Sequence, residues 1–286
     1  MINNILIVTN FNAGRKKAVK YKKIVIDFVL RYTKSFKFVD IDELKELDVE
    51  PFDTIIAMGG DGTVNRVLPY LSDGNKVLGI IPCGTANLLA AKLGLSYNIK
   101  MNLEIISRQN IKKIDIQYIN SIPYILRSGL GWDADLICKT PQSLKNRFGY
   151  FAYLIAGVLF ALRLKKKEYC LNIDEKSYKV NASCIIFSNA ANMYRNYISL
   201  AKNSSLEDGL IDIFILKTTN PVRLFFEFLA AMFGLCKNSS AAEYIKAKKI
   251  KLETNWLVFH TDGEKHILKN DADISIRQAA IQVFSK

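Results

Sequence analysis

Thr54-Ile55-Ile56-Ala57-Met58-Gly59-Gly60-Asp61-Gly62-Thr63-Val64-Asn65 reads as an apolar strand that empties into a glycine-rich turn with a carboxylate at its centre. Such turns cradle phosphates. Gly59, Gly60 and Gly62 are expected to take φ values that other residues avoid and so point backbone N–H groups inward, while a helix starting near Thr63 aims its positive end at the same spot. Asp61 complicates that picture. A carboxylate beside phosphates repels them unless a metal ion sits between, or unless it binds a hydroxyl or takes a proton during phosphoryl transfer. Both exceptions lead to nucleotide chemistry. The stretch is neither the dinucleotide fingerprint nor the P-loop, since it lacks the third spaced Gly of the first and the Gly-Lys-Ser/Thr of the second.

A second unit of the same kind follows. Val77-Leu78-Gly79-Ile80-Ile81 runs into Pro82-Cys83-Gly84-Thr85-Ala86-Asn87, then a helix from Leu88 to Leu93 closed by Gly94. Upstream, Ile5-Leu6-Ile7-Val8 is a short buried strand that leads through Thr9-Asn10-Phe11-Asn12-Ala13-Gly14 to a basic helix from Arg15 to about Tyr32. A strand at Phe36 to Val39 completes the set. Three polar loops therefore lie at the carboxyl ends of parallel strands, where open α/β sheets bind ligands.

From about Lys113 the pattern changes. Lys113 to Gln117 and Pro123 to Leu126 form a hairpin around Asn120-Ser121. Tyr169 to Ile173, Tyr178 to Phe187, Leu210 to Leu216, Lys249 to Glu253, Trp256 to His260, Ala272 to Ile276 and Ala280 to Phe284 read as strands. A β-rich domain follows an α/β one. No internal repeat or low-complexity linker separates them, and the site is expected between the two.

Composition narrows the partners. Among 286 residues, 40 Lys and Arg against 27 Asp and Glu leave a net charge of +13. That balance suits nucleotide phosphates or an anionic membrane surface. Nucleic acid is not expected, because zinc spacing, aromatic RNP patterning and an arginine-rich tail are all missing. The five cysteines are odd in number and widely spaced, which predicts a reducing compartment, and the start Met1-Ile2-Asn3-Asn4 lacks the features of a signal peptide. A cytoplasmic protein is expected. Phe148 to Leu164 and Leu224 to Cys236 are apolar but shorter than the roughly 20 residues that span a bilayer. Each is read either as a helix buried on the sheet or as a membrane-facing element, with Glu227 paired to Arg223 one turn earlier in the second.

NFNAG, GGDGTVN, PCGTAN, SGLGWDAD, SSLEDGLID and TDGE occur in the order and approximate spacing of the diacylglycerol kinase catalytic-domain family, whose bacterial lipid kinases are similar to sphingosine and ceramide kinases and share GGDGT with NAD kinases. The resemblance spans nearly the whole chain. It implies an NAD kinase/diacylglycerol kinase-like α/β domain over 1–128 and a β-sandwich domain over 129–286, with a return of the last strands to the first domain left open. It further implies ATP as phosphoryl donor, magnesium, a lipid acceptor meeting the nucleotide between the domains, peripheral contact with an anionic membrane, and an open possibility of a homodimer. The nucleotide would be held by Asn10, Asn12, Ala13, Gly14, Gly59, Gly60, Asp61, Gly62, Thr63, Val64, Asn65, Gly84 and Thr85, with Arg15 or Lys16 adding charge.

Three carboxylates are candidates for the base that accepts the acceptor hydroxyl's proton: Asp61, Asp262 and Glu264. By resemblance, Asp262-Gly263-Glu264 lies near the acceptor and Glu264 is the first choice, although Asp-Gly between strands is also what a hairpin turn uses. His260 and His266 match no zinc spacing. The resemblance also implies a structural magnesium held by the Asp208 side chain and by backbone oxygens near Ser205 and Leu210, chemistry that oxygen ligands suit. Asp133 of GLGWDAD is expected to hold the domains in register through charged hydrogen bonds. Departures from the family pattern are Arg66 where Glu is usual, Phe11 for Pro, Leu88 for Asp and Lys202 for Pro. An NAD kinase, or a nucleotide- or membrane-binding regulatory relative, remains the alternative.

Overall fold

The computed structural model describes residues 2–11, 17–84, 86–140, 164–189, 192–193, 198–199, 204–232, 235 and 237–286. Its contacts divide the chain into two units, Met1–Asp115 with Gln278–Lys286, and Ile116–Arg277. The division falls before the expected 128/129, because the strand β5 (Ile111–Ile119) begins in one unit and ends in the other. From Gln278 the carboxyl-terminal strand belongs to the first unit.

In the first unit, β1 (Ile2–Thr9) lies between β2 (Thr33–Asp40) and β3 (Thr54–Gly59), with β4 (Val77–Pro82) beyond β3, all parallel. Ile7 sits opposite Phe38 on one side and Ile56 on the other. Every residue of β3 is buried, which is why it reads as a continuous apolar run rather than an alternating one. Ala18, Val25 and Val29 of α1 (Lys17–Tyr32), together with Ile99, Leu103 and Ile106 of α4 (Ile99–Arg108), pack on Ile5, Ile7, Ile56, Met58 and Ile81. Between these lie α2 (Asp61–Val67) and α3 (Leu88–Lys92). The helix α4 has no counterpart in the sequence reading; it starts at Asn98, whose side chain accepts the Lys100 N–H at 3.0 Å.

The second unit is a β-sandwich. One antiparallel sheet has the order β14-β13-β10-β7-β16-β17, built from β7 (Arg127–Gly131), β10 (Cys184–Ser188), β13 (Ile211–Leu216), β14 (Ala242–Ala247), β16 (Leu257–Thr261) and β17 (Glu264–Leu268). The other layer pairs the first half of β18 (Ala272–Phe284) with β15 (Lys249–Glu253), then β8 (Lys167–Ile173) and β9 (Lys176–Ala182). Ile185, Phe187, Ile213 and Phe259 from the first layer meet Leu171, Ile250, Leu252 and Ile274 from the second in one core. The expected hairpin is present, β5 pairing with β6 (Ile122–Tyr124) around Asn120 in the left-handed conformation. Short pieces complete the unit: α5 (Trp132–Lys139), β11 (Asn192–Met193), β12 (Ile198–Ser199) and α6 (Pro221–Met232).

Two strand expectations are corrected. Tyr178 to Phe187 is two strands in different layers, because Ser183 leaves the ladder: its N–H and hydroxyl both bond the Leu216 carbonyl, at 2.8 and 3.1 Å. Conversely, Ala272 to Phe284 is one strand rather than two. Ala279 takes φ of 52° inside it, and its N–H reaches the Asp115 side-chain Oδ1 at 2.8 Å instead of a backbone carbonyl. The apolar segment Phe148 to Leu164 lies, up to residue 163, outside the described residues. Among the described residues no helix is long and apolar enough to cross a membrane.

Candidate active site

The loops after β3 and β4 are built against each other. The Gly59 carbonyl accepts the Cys83 N–H at 2.7 Å and the Gly84 N–H at 3.3 Å, closing the two strand ends together. A Cβ on Gly84 would lie 2.5 Å from Gly60 Cα, and one on Gly59 would lie 2.1 Å from Thr63 Oγ1. This corrects the reason for the glycines: none of Gly59, Gly60, Gly62 and Gly84 has a positive φ. What demands glycine at 60 and 84 is backbone passing over backbone at contact distance. Asn87 supplies the left-handed residue instead, with φ of 49°. Its side chain accepts the Gly84 N–H at 3.0 Å and donates to the Gly84 carbonyl at 2.9 Å, closing the second loop on itself.

Asp61 is the first residue of α2 and its carboxylate accepts the Leu89 N–H at 3.3 Å, at the start of α3. Burial raises its pKa, and the N–H groups of Leu88, Leu89 and Asn87 oppose that rise. It therefore ties one loop to the other as well as standing in the expected place. Thr63, Val64 and Asn65 are buried on α2, and Asn65 Oδ1 has no partner among the described residues. A glycine floor and an orphaned amide oxygen fit a ligand with phosphates and hydroxyls. Asn10 follows β1, whereas Asn12, Ala13, Gly14, Arg15, Lys16 and Thr85 lie outside the described residues.

Two departures from the family pattern acquire a location. Arg66 turns to the surface and pairs with Asp42 at 3.1 Å. Phe11 stacks on Phe38 at 6.0 Å, with the Lys22 ammonium 5.2 Å from each ring. Both are stable where they stand by ordinary packing and charge.

In the second unit Asp262 and Gly263 turn β16 into β17, with φ of 48° and 97° and Thr261 opposite Glu264. The hairpin reading of Asp-Gly is thus correct as local structure. Asp262 does more than turn. Its Oδ1 accepts the N–H groups of Leu126 (3.0 Å) and Arg127 (2.8 Å), and its Oδ2 accepts that of Ile125 (2.9 Å). The carboxylate is consumed by the segment that joins β6 to β7. Glu264, by contrast, is exposed at the first position of β17. His266 beside it has its pKa lowered by burial, with Glu264 pulling the other way.

Behind the turn runs a chain of polar groups centred on the buried Asp133. His260 Nε2 meets Asp133 Oδ2 at 2.6 Å, and Arg127 reaches Asp133 Oδ1 at 2.9 Å. Burial would raise the Asp133 pKa, but Arg127 and His260 outweigh it and hold it at about 2. On its other edge His260 Nδ1 receives the Gly263 N–H at 3.4 Å, so the ring is held from both sides, with Nε2 turned to Asp133. Gly129 makes room: a Cβ there would lie 2.0 Å from Asp133 Oδ2. All of these partners belong to the second unit, so Asp133 braces that unit's own sheet rather than linking domains. The sequence reading had the aspartate but not His260 as its partner, since 127 residues of chain separate them.

At the expected metal turn, Asp208 Oδ2 pairs with the Lys246 ammonium at 2.7 Å and Oδ1 accepts the Leu210 N–H at 3.2 Å. Ser205 Oγ accepts the Glu207 N–H at 3.1 Å. Lys246 also lies 3.6 Å from Asp212, which Tyr244 bonds as well. The cation paired with Asp208, among the described residues, is the Lys246 ammonium. Among the described residues no group of three His, Cys, Asp or Glu is placed to hold a metal ion.

Residues 4–119 match the family model of the diacylglycerol kinase catalytic domain, and residues 129–285 match that of the YegS C-terminal NAD kinase β-sandwich-like domain. A Bacillus subtilis diacylglycerol kinase is 31% identical over 77% of this chain and 74% of its own length. An uncharacterised Synechocystis protein is 37% identical over 59% of this chain, a match that spans only 39% of that longer relative. The crystal structure of a Bacillus anthracis diacylglycerol kinase superposes with a TM-score of 0.76 at 20% identity, over 100% of this chain and 97% of that one. Another chain from that organism reaches 0.84 at 21%, covering 100% and 96%. At these identities the structural matches establish the fold.

Proposed function

This chain belongs to the diacylglycerol kinase catalytic-domain family, and from that premise we propose that it is an ATP-dependent lipid kinase acting on the hydroxyl of diacylglycerol or a related lipid. The observation that carries the proposal is the division of labour in the Asp-Gly-Glu turn: Asp262 is clamped by three N–H groups, which fixes the turn and leaves the exposed Glu264 carboxylate uncommitted to the fold. A rigidly mounted, solvent-reachable carboxylate is what a proton acceptor for an alcohol requires.

In this reading Asn10, Gly60, Gly84 and Asn65 hold the nucleotide, with the loop N–H groups receiving phosphate oxygens. Asp61 keeps those loops in register. Magnesium, arriving with ATP, supplies further neutralisation of phosphate charge. Glu264 accepts the proton as the acceptor oxygen bonds to the γ-phosphorus and the bridging oxygen leaves with ADP. Peripheral binding to an anionic membrane brings the cytoplasmic enzyme to a lipid that stays in the bilayer, and the net charge of +13 supports that placement.

The test is incubation of the protein with labelled ATP and a total lipid extract, with identification of the labelled product. Glu264→Gln should bind ATP like the parent but transfer to lipid about 10²- to 10⁴-fold more slowly. Unchanged transfer in that variant would remove Glu264 from the chemistry, and a wild-type protein that labels no lipid would defeat the kinase reading.

A further inference from the structure

The helix α6 (Pro221–Met232) is built the wrong way round for a helix of a water-soluble domain. Val222, Phe225 and Phe226 stand 63%, 56% and 62% exposed, and with the partly exposed Leu229 they fall at i, i+3, i+4 and i+7, a single apolar stripe. In a helix that covers a core, this stripe would be the buried one. Leu235, 63% exposed, extends the same apolar surface beyond the helix end, where its N–H bonds the Ala230 carbonyl at 2.8 Å. Leucines and valines scattered singly on a surface require no explanation, but two adjacent phenylalanines on one outward stripe do.

The helix is well anchored despite that exposure. Asn220 caps it, accepting the N–H groups of Val222 (2.9 Å) and Arg223 (3.3 Å), and Pro221 takes the first-turn position that proline tolerates. Its one acid, Glu227, does not stand free: the carboxylate accepts the Ser239 hydroxyl at 3.1 Å. The exposed charges beside the stripe are cationic, Arg223 on the next face and Lys237 just beyond the end. An apolar ridge flanked by basic groups, on a chain of net charge +13, is complementary to one kind of partner: acyl chains beneath anionic headgroups.

We propose that α6 is the element by which this protein docks on an anionic lipid bilayer, with Val222, Phe225 and Phe226 entering the interface and Arg223 and Lys237 meeting the headgroups. The inference deepens the lipid-kinase reading by naming the surface that delivers the enzyme to its acceptor. It does not depend on which lipid is phosphorylated.

The experiment compares wild type, the double variant Phe225→Ser with Phe226→Ser, and the control Leu30→Ser, which alters an apolar residue of α1 that is equally exposed at 63%. Binding is measured by sedimentation with phosphatidylcholine vesicles that contain or lack phosphatidylglycerol, and activity on a short-chain diacylglycerol dispersed in water. Wild type and Leu30→Ser should bind the anionic vesicles alike, whereas the double variant should bind about 100-fold more weakly, the size expected when two large apolar side chains no longer partition. Because both rings are exposed, its circular dichroism spectrum and its activity on the dispersed lipid should match those of wild type. Undiminished vesicle binding by the double variant would overturn the proposal, and so would a wild-type dimer that the double variant splits into monomers while vesicle binding stays the same. If wild type binds vesicles through α6 yet phosphorylates no dispersed lipid, the docking surface stands and the kinase reading falls.

Discussion

Replacing Asp262 by Asn separates a carboxylate that builds the site from one that works in it. The backbone at 262 has φ of 48°, a conformation that Asn tolerates as readily as Asp, so the turn itself is not strained by the change. The side-chain contacts decide the outcome. Oδ1 takes two N–H groups, from Leu126 and Arg127, and an Asn oxygen placed there keeps both without their charge assistance. The amide NH₂ then faces the Ile125 N–H, donor against donor, where Oδ2 accepted at 2.9 Å. One hydrogen bond to a charged group is lost and two are weakened, and with about 1.5–3 kcal/mol for each charged bond the expected loss is about 2–4 kcal/mol. Urea unfolding of the full chain should show it as a lower midpoint at unchanged slope. Turnover of the folded variant should fall far less than that of Glu264→Gln, which should leave the midpoint where it was. A variant as stable as wild type but without activity would refute this assignment and return Asp262 to the chemistry.

Gly84→Ala should destabilise the first unit and weaken nucleotide binding together, since its Cβ meets Gly60 backbone at 2.5 Å, while Gly62→Ala, with nothing within 4 Å, should leave the stability unchanged. Isothermal titration with ATP and thermal denaturation of the two variants check this, and an unaffected Gly84→Ala would mean that the loops can part without consequence. Asp133 makes stability fall in acid. Its carboxyl titrates at about 2 in the fold and at 3.8 in its ordinary setting, so its contribution of about 2 kcal/mol is fully present above pH 4 and disappears as the pH drops from 4 towards 2. Asp133→Asn should be less stable than wild type at neutral pH and lose that much less between pH 4 and 2, by denaturant midpoints at each pH.

The parallel half of the fold was legible because its signals are local. A fully buried strand such as Thr54–Gly59 is a continuous apolar run, and the glycine turn after it can be nothing but the strand's end. The sandwich was legible as strands but not as layers. Ser183 switches the chain between sheets through bonds to the Leu216 and Thr218 carbonyls, a choice written in residues more than thirty positions away. Ala279 marks the opposite failure: nothing about an alanine announces a left-handed residue in mid-strand, and only Asp115, across the sequence, makes that conformation worthwhile. At the site, the motifs located Asp61, Asp262 and Glu264 but not what each carboxylate touches. The exposed stripe of α6 was ambiguous for a plainer reason. Periodicity shows that a helix has an apolar face and is silent on whether anything covers it.

What distinguishes the three motif acids is the competition for their charge. An ionised carboxylate that accepts three backbone N–H groups has no free oxygen to turn toward a substrate without breaking the bonds that hold it. Asp262 is in that position, with both oxygens engaged, whereas Asp61, whose pKa burial raises, gives one oxygen to the Leu89 N–H at the start of α3. Both are short side chains, and a short carboxylate beside a turn reaches backbone more readily than it reaches a ligand. Glu264 is one methylene longer, exposed, and set on the strand immediately after the clamp. An Asp that stiffens a turn and a Glu that projects from it make a functional pair: the first removes the conformational freedom that would otherwise cost the second its aim. By the same logic the His260 ring, receiving the Gly263 N–H on one edge and meeting Asp133 on the other, stiffens the turn from behind, and the paired charges of Arg127 and Asp133 serve to keep that ring in one orientation.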